Sequence, residues 1–217
     1  MKEPRSLLDV APVMPVLSVR NPRDAVHVAR AITRAGLPLI QVALDSAGSY
    51  EAIERIAAEA PEVIVGAGAV TDVDQPARAR DAGAEFLVAS TGTVSLTAAM
   101  CATELPHLPA AATADEAMGL FDDGYTDMVF SPAAASGGVR YLKALAAFVP
   151  DARFCASGGI TPAQLMSYLA APNVGCVGAD WLGPADAVRR RDWDRIRRLA
   201  DVAITLSTPT VTAVRAL

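Results

Sequence analysis

Residues 62–89 read EVIVGAGAVTDVDQPARARDAGAEFLVA, and this stretch contains one complete strand–helix–strand repeat. Its outer segments, residues 62–69 and 85–89, are nearly continuous apolar runs, which is typical of parallel strands covered on both faces. The segment between them, residues 74–82, is rich in alanine and arginine and predicts a helix. This helix ends at Gly83, because glycine adopts a left-handed backbone without strain. The stretch therefore predicts one βα unit of a parallel sheet.

The same alternation runs through the chain and gives eight predicted strands: residues 13–19, 37–44, 62–69, 85–89, 107–111, 127–131, 153–157 and 174–178. Predicted helices include residues 24–35, 50–59, 74–82, 114–121, 139–148 and 162–169. Eight such repeats predict an α/β fold with one (β/α)8 TIM barrel that occupies residues 1–217 as a single domain. We expect residues 1–11 to cap the barrel floor, and residues 189–217 to form a last helix and a tail.

The composition limits the classes of partner. The chain has 217 residues and a net charge of −5, which argues against a nucleic-acid partner. The arginines of residues 189–198 alternate with aspartates, as on a solvated helix face. The sequence has no apolar run of the ~20 residues that a membrane span needs, and no signal-peptide core. We therefore expect a cytoplasmic protein that does not bind membranes, with three free cysteines.

Eight short segments occur in an order and spacing that resemble one known family. They are residues 12–16 (PVMPV), 65–68 (VGAG), 81–84 (DAGA), 130–133 (FSPA), 137–139 (GGV), 153–155 (RFC), 157–160 (SGGI) and 184–187 (PADA). Together they resemble the 2-keto-3-deoxy-6-phosphogluconate (KDPG) and 4-hydroxy-2-oxoglutarate (KHG) aldolases, which are class I aldolases. The resemblance runs nearly end to end. It implies a homotrimer of TIM barrels that acts on small oxo acids.

The chemistry implied by this resemblance needs a lysine on the sixth strand, which forms a Schiff base with the keto acid. It also needs a glutamate on the second strand that shuttles protons, and an arginine four residues further on that holds an anion. In this sequence those positions carry Val129, Gln41 and Asp45. The two lysines of the chain are Lys2 and Lys143, and Lys143 falls off the apolar stripe of its predicted helix. We therefore predict that class I activity is absent.

Other residues at the predicted mouth of the barrel complete the candidate ligand site. Arg20 ends the first predicted strand and can hold a carboxylate. Gly158 and Gly159 either bind an anion or only permit a tight turn. The remaining candidates are Asp45, Ser90, Ser131 and Asp180, of which Asp180 stands where the family has a phosphate-loop serine and should weaken phosphate binding.

Three functional hypotheses follow. The first is an aldolase-like protein without a cofactor, kept for binding a small oxo acid or polyol or for a structural role. The second is a lyase or isomerase with a rebuilt site at Gln41, Asp45 and Asp180, in which the two carboxylates can also hold Mg²⁺ or Mn²⁺. The third is a subunit that supports a partner through the tail, residues 207–217.

Overall fold

The computed structural model describes residues 6–207, and within them nine parallel strand segments form a nearly closed barrel. The sheet order is β5-β4-β3-β2-β1-β9-β8-β7-β6, so consecutive strands are hydrogen-bonded neighbours except for β5 and β6, and the first strand pairs with the last. The TIM-barrel prediction is therefore confirmed. The strands are β1 (Val13–Leu17), β2 (Leu39–Ala43), β3 (Ile64–Val70), β4 (Leu87–Ala89), β5 (His107–Leu108), β6 (Ala110–Ala111), β7 (Asp127–Phe130), β8 (Arg153–Ala156) and β9 (Val174–Ala179).

Helices alternate with these strands along the chain. They are α1 (Pro22–Thr33), α2 (Ser49–Glu59), α3 (Gln75–Asp81), α4 (Val94–Cys101), α5 (Ala114–Asp122), α6 (Gly138–Leu145), α7 (Leu165–Leu169), α8 (Ala185–Arg190) and α9 (Trp193–Ser207). The start of α1 follows from its sequence, because the Asn21 side chain accepts a hydrogen bond from the Arg23 amide ahead of a first-turn proline. None of the helices within residues 6–207 has both the length and the apolar content to cross a membrane.

The fifth predicted strand, residues 107–111, is divided in two by Pro109. Its first half, β5, pairs with β4, and its second half, β6, pairs with β7. Proline has no amide hydrogen to donate, but the Pro109 carbonyl still accepts a hydrogen bond from the Val129 amide at 2.8 Å. The single predicted strand therefore consists of two short strands, which connect β4 on one side with β7 on the other.

The register of the strands determines which side chains share the interior of the barrel. Gln41 of β2 is aligned with Val16 of β1, and Val129 of β7 is aligned with Cys155 of β8, which is aligned with Cys176 of β9. Aligned residues of neighbouring parallel strands point to the same face of the sheet. These side chains therefore form rows across the inner wall.

The two ends of the described chain pack on the barrel. A short 3-10 helix, Leu7–Asp9, buries Leu8 against β8 and β9, and Asp9 forms an ion pair with Arg153. At the other end, α9 packs along α1, and Trp193 stacks on His27 with ring centroids 5.3 Å apart. The predictions for the first residues of the cap, 1–5, and for the tail beyond Ser207 lie outside the described residues.

Candidate functional site

A cavity of about 140 Å³ opens at the carboxyl ends of the strands, which is where TIM barrels place their active sites. Its walls include the apolar side chains of Val16, Val88 and Val129, and Gln41 of β2 also lines it. These four residues come from four strands, so the barrel geometry and not local sequence brings them together. Two of them, Gln41 and Val129, are candidates predicted from the sequence.

Gln41 is the buried polar side chain of this cavity, with 2% of its surface exposed. Its Nε2 amide group has no hydrogen-bond partner within the described structure. The side chain lies over Gly68 of β3, where a Cβ atom would collide with Oε1 of Gln41. A buried donor without a partner costs free energy, so it indicates a site where an acceptor is expected to bind.

Val129 is fully buried in β7, and its side chain lines the same cavity. Its branched aliphatic side chain can make apolar contacts with a ligand but contains no nucleophile. Lys143, which is the one lysine within residues 6–207, is exposed on α6, as its place off the apolar stripe predicts. The described cavity therefore has no amine on its walls.

Polar groups surround the opening of the cavity. The hydroxyl-bearing residues Ser90, Ser131 and Ser157 are half-buried, and Asp180 is exposed. Ser157 was not predicted as a site residue, although it is the first residue of the family segment SGGI, residues 157–160. The ring offers hydroxyl donors and acceptors together with one carboxylate.

The glycine pair after β8 has a steric role. Gly158 and Gly159 both have positive φ, of 96° and 74°. A Cβ atom at Gly158 would lie 3.1 Å from Cα of Pro132, and one at Gly159 would lie 2.9 Å from Cβ of Ala134. The pair therefore allows two loops of the mouth to approach closely, which agrees with the tight-turn interpretation.

Donors that follow this turn are already bonded within the loop. The backbone amide and the hydroxyl of Thr161 both donate to Oε1 of Gln164 at 3.0 Å. The helix that begins there is a three-residue 3-10 turn, Pro162–Gln164. These groups are consequently not free for a phosphate.

Arg20 and Asp45 lie in a different depression, a groove of about 560 Å³ between the loops after β1 and β2 and the start of α8. Ser18 donates a hydrogen bond of 2.7 Å to Oδ2 of Asp45, and Ser46 donates one of 2.8 Å to the Val19 carbonyl. These bonds hold the two loops together. The structure therefore does not bring Arg20 and Asp45 onto the walls of the 140 Å³ cavity with Gln41 and Asp180.

The same separation bears on the metal hypothesis. Within residues 6–207 there is no group of three or more histidine, cysteine, aspartate or glutamate side chains arranged to hold a metal ion. Asp45 lines the groove and Asp180 lines the cavity. Two carboxylates in separate depressions do not form the oxygen cage that Mg²⁺ prefers.

Two thiols lie in the row of Val129. Cys155 and Cys176 are fully buried on β8 and β9. A hydrogen bond with the Cys155 thiol, together with burial, raises the pKa of Cys176 well above its ordinary value. The Cys176 thiol therefore stays protonated and unreactive near neutral pH.

Comparisons with known proteins show the family to which this barrel belongs. A family model described as "Aldolase: KDPG and KHG aldolase" matches residues 5–199. The chain belongs to the KDPG and KHG aldolase family. It is 40% identical to the 2-dehydro-3-deoxy-phosphogluconate aldolase of Pseudoalteromonas atlantica, covering 89% of this chain and 90% of the relative. It is also 40% identical to the KHG/KDPG aldolase of Escherichia coli, covering 92% and 93%.

Solved structures of this aldolase family superpose closely on the barrel. The KDPG aldolase from Legionella pneumophila, with pyruvate captured as a covalent carbinolamine intermediate, matches with a TM-score of 0.86 and 32% identity over 93% of this chain and 96% of the other. The enzyme from Zymomonas mobilis with 3-phosphoglycerate matches with a TM-score of 0.85 and 36% identity over 92% and 93%.

Proposed function

We propose that this member of the KDPG and KHG aldolase family binds a small oxo compound or polyol without a covalent bond and has no class I aldolase activity. The observation that carries the proposal is Val129 on the wall of the cavity. A carbinolamine, such as the one captured in the Legionella enzyme, forms when an amine adds to a ketone. Valine has no amine, and Lys143 is exposed on α6.

The proton-transfer step is also affected. A carboxylate can accept a proton and return it near neutral pH, whereas the amide of Gln41 cannot. Gln41 can still donate a hydrogen bond to a carbonyl oxygen. Binding is thus compatible with the cavity, while the Schiff-base route lacks both its nucleophile and its proton shuttle.

The test is a borohydride trapping experiment on variants that restore the family's lysine and glutamate. The unaltered protein, Val129→Lys and Val129→Lys/Gln41→Glu are incubated with pyruvate and borohydride, and the masses of the intact proteins and their peptides are measured. We expect no adduct on the unaltered protein and an adduct at the introduced lysine, increased by the glutamate. Val129→Met, which adds length without an amine, is the matched control.

Two results would contradict the proposal. A reduced pyruvate adduct on Lys143 or Lys2 of the unaltered protein, together with cleavage of KDPG, would mean that a class I mechanism operates from another lysine. If instead the introduced lysine fails to react in a folded variant, position 129 is not the reactive position of the family, and the alignment behind the proposal is wrong.

A second candidate function is a lyase or isomerase with a rebuilt site. It is favoured by one observation: the Asp180 carboxylate and the Gln41 amide line the same cavity. Asp180 can remove a proton from the carbon next to a carbonyl and return it, while Gln41 stabilises the negative charge on the carbonyl oxygen. Deuterium exchange into hydroxyacetone in D₂O, followed by NMR, measures this step. Exchange lost in Asp180→Asn supports it, and exchange that this variant leaves unchanged refutes it.

The assembly and location of the protein are proposals that rest on the family resemblance. We propose a homotrimer, formed by a chain that folds as one domain in the cytoplasm, where its three cysteines stay free. Light scattering on the purified protein measures the mass directly. A monomer or dimer at micromolar concentration would contradict the trimer.

A further inference from the structure

We propose that the cavity selects a small uncharged hydroxy-carbonyl compound over an oxo acid or a phosphate. The ligand places its carbonyl oxygen at Nε2 of Gln41 and a hydroxyl group at Asp180. This inference rests on the non-covalent binding proposed above and goes beyond it by giving the charge of the ligand.

The buried amide of Gln41, which lines the cavity, calls for a hydrogen-bond acceptor. Gln41 is almost completely buried, and its Nε2 has no partner in the described structure. Its neighbours on the wall, Val16, Val88 and Val129, are apolar and cannot accept a hydrogen bond. A carbonyl oxygen satisfies the amide and needs no counter-charge, whereas a carboxylate would bring its charge into an apolar pocket.

The opening of the cavity disfavours an anion. Among the residues that line it in the described chain, Asp180 is the one that carries a charge, and that charge is negative. Arg20 lines the separate groove, and the donors of Thr161 are bonded to Gln164. An anionic ligand would therefore meet repulsion without a compensating cation. A hydroxyl group, in contrast, can donate to the Asp180 carboxylate and exchange hydrogen bonds with the surrounding serines.

The volume limits the size of the ligand. The cavity measures about 140 Å³, which is close to the ~150 Å³ of an engineered protein cavity that holds benzene. A compound of roughly six non-hydrogen atoms fills such a space. Hydroxyacetone and pyruvate are both near this size. They differ in one group, a hydroxymethyl in place of a carboxylate, so they form a matched pair of probes.

The experiment measures the dissociation constants of hydroxyacetone and pyruvate, and that of inorganic phosphate, by ligand-observed NMR titration at constant ionic strength. For the unaltered protein we expect hydroxyacetone to bind at least about tenfold more tightly than pyruvate, which corresponds to ~1.4 kcal/mol. Asp180→Asn keeps the shape and removes the charge, so the preference should shrink to within a few-fold. Gln41→Met should weaken hydroxyacetone about tenfold or more.

The outcomes separate the two proposals. Equal or tighter binding of pyruvate without a trapped adduct overturns the charge selection and leaves the non-covalent proposal intact. A trapped adduct overturns the non-covalent proposal, whichever probe binds better. Absence of hydroxyacetone binding at tens of millimolar, or a preference that Asp180→Asn leaves unchanged, also overturns this inference. Thermal unfolding confirms that each variant is folded. Asp180 is exposed, so its amide variant keeps the shape of the side chain, removes the negative charge and retains one oxygen that can accept a hydrogen bond from the ligand.

Discussion

Replacing Gln41 by methionine should make the ligand-free protein more stable while it weakens the binding of hydroxyacetone. Methionine has the same length as glutamine and no polar amide, and the cavity walls around it are apolar. In the unaltered protein the Nε2 group of Gln41 is buried without a partner. Removing a polar group that is buried and unsatisfied relieves its desolvation penalty.

The magnitude follows from that penalty. An unsatisfied buried donor costs about 1–3 kcal/mol, so Gln41→Met should raise the free energy of unfolding by up to that amount. For a chain of this size, ~1 kcal/mol moves the melting temperature by roughly 2–4 °C, which gives a rise of roughly 2–12 °C. Calorimetry without ligand measures this difference, and titration with hydroxyacetone on the same sample measures the loss of binding.

A matched control variant should change the free energy of unfolding in the opposite direction. Ser49 is also fully buried, but its hydroxyl donates a hydrogen bond of 2.7 Å to the Ala43 carbonyl. Ser49→Ala should therefore destabilise the protein by about 0.5–1.5 kcal/mol. If Gln41→Met lowers stability as Ser49→Ala does, the Gln41 amide has a partner in the free protein, and the reasoning that it awaits a ligand fails.

Two further predictions concern stability. Gly158→Ala and Gly124→Ala place alanine at similar positive φ, 96° and 94°, but only the first also meets Cα of Pro132 at 3.1 Å, whereas nothing lies within 4 Å of the second. Chemical denaturation should show Gly158→Ala to be more destabilised by about 1 kcal/mol or more, and equal losses would contradict the close approach of the loops. A hydrogen bond with Cys155 and burial raise the pKa of Cys176 in the folded protein. As the pH rises above about 8.5, the thiol therefore ionises in the unfolded chain before it ionises in the folded one, and the free energy of unfolding should fall. Cys176→Ala should lose less stability than the unaltered protein between pH 8 and 10, and identical slopes would refute that cause.

Much of the barrel could be predicted from the sequence, because buried parallel strands and punctuated helices leave strong local signals. The runs around Val65 and Leu87 read as strands and are strands β3 and β4. The glycine at position 83 follows the C-cap of α3 with a φ of 95°. These features depend only on neighbours in sequence, which a single chain displays fully.

The details that escaped prediction depend on contacts between distant segments. The fifth strand was predicted whole, whereas its two halves pair with different neighbours on either side of Pro109. Helix α4 has no polar stripe: Leu96 and Met100 are buried, but Val94 is 84% exposed. Its sequence alone therefore gives no periodic signal.

The candidate site also depends on contacts that the sequence does not display. Gln41, Val129 and Asp180 were predicted at the mouth of the barrel, and all three line one cavity. Arg20 and Asp45 also follow strands, but they line the outer groove. The position after a strand predicts the end of the barrel at which a residue lies, but the loop conformation decides whether its side chain turns inward. For Asp45 the bond from Ser18 contributes to that decision.

The selection proposed for Asp180 would act on ligands that enter at the carboxyl ends of the strands, because side chains cover part of the opposite end of the barrel. At the amino ends of β7 and β8, Arg153 pairs with Asp127 at 3.3 Å and with Asp9 of the 3-10 helix at 2.7 Å. Leu8 of the same helix is buried against the floor. The cavity lined by Gln41 opens at the carboxyl ends of the strands, where Asp180 is exposed. One carboxylate at that opening can then reject anions before they meet the apolar wall, so a change of charge at position 180 alone should alter which compounds the barrel admits.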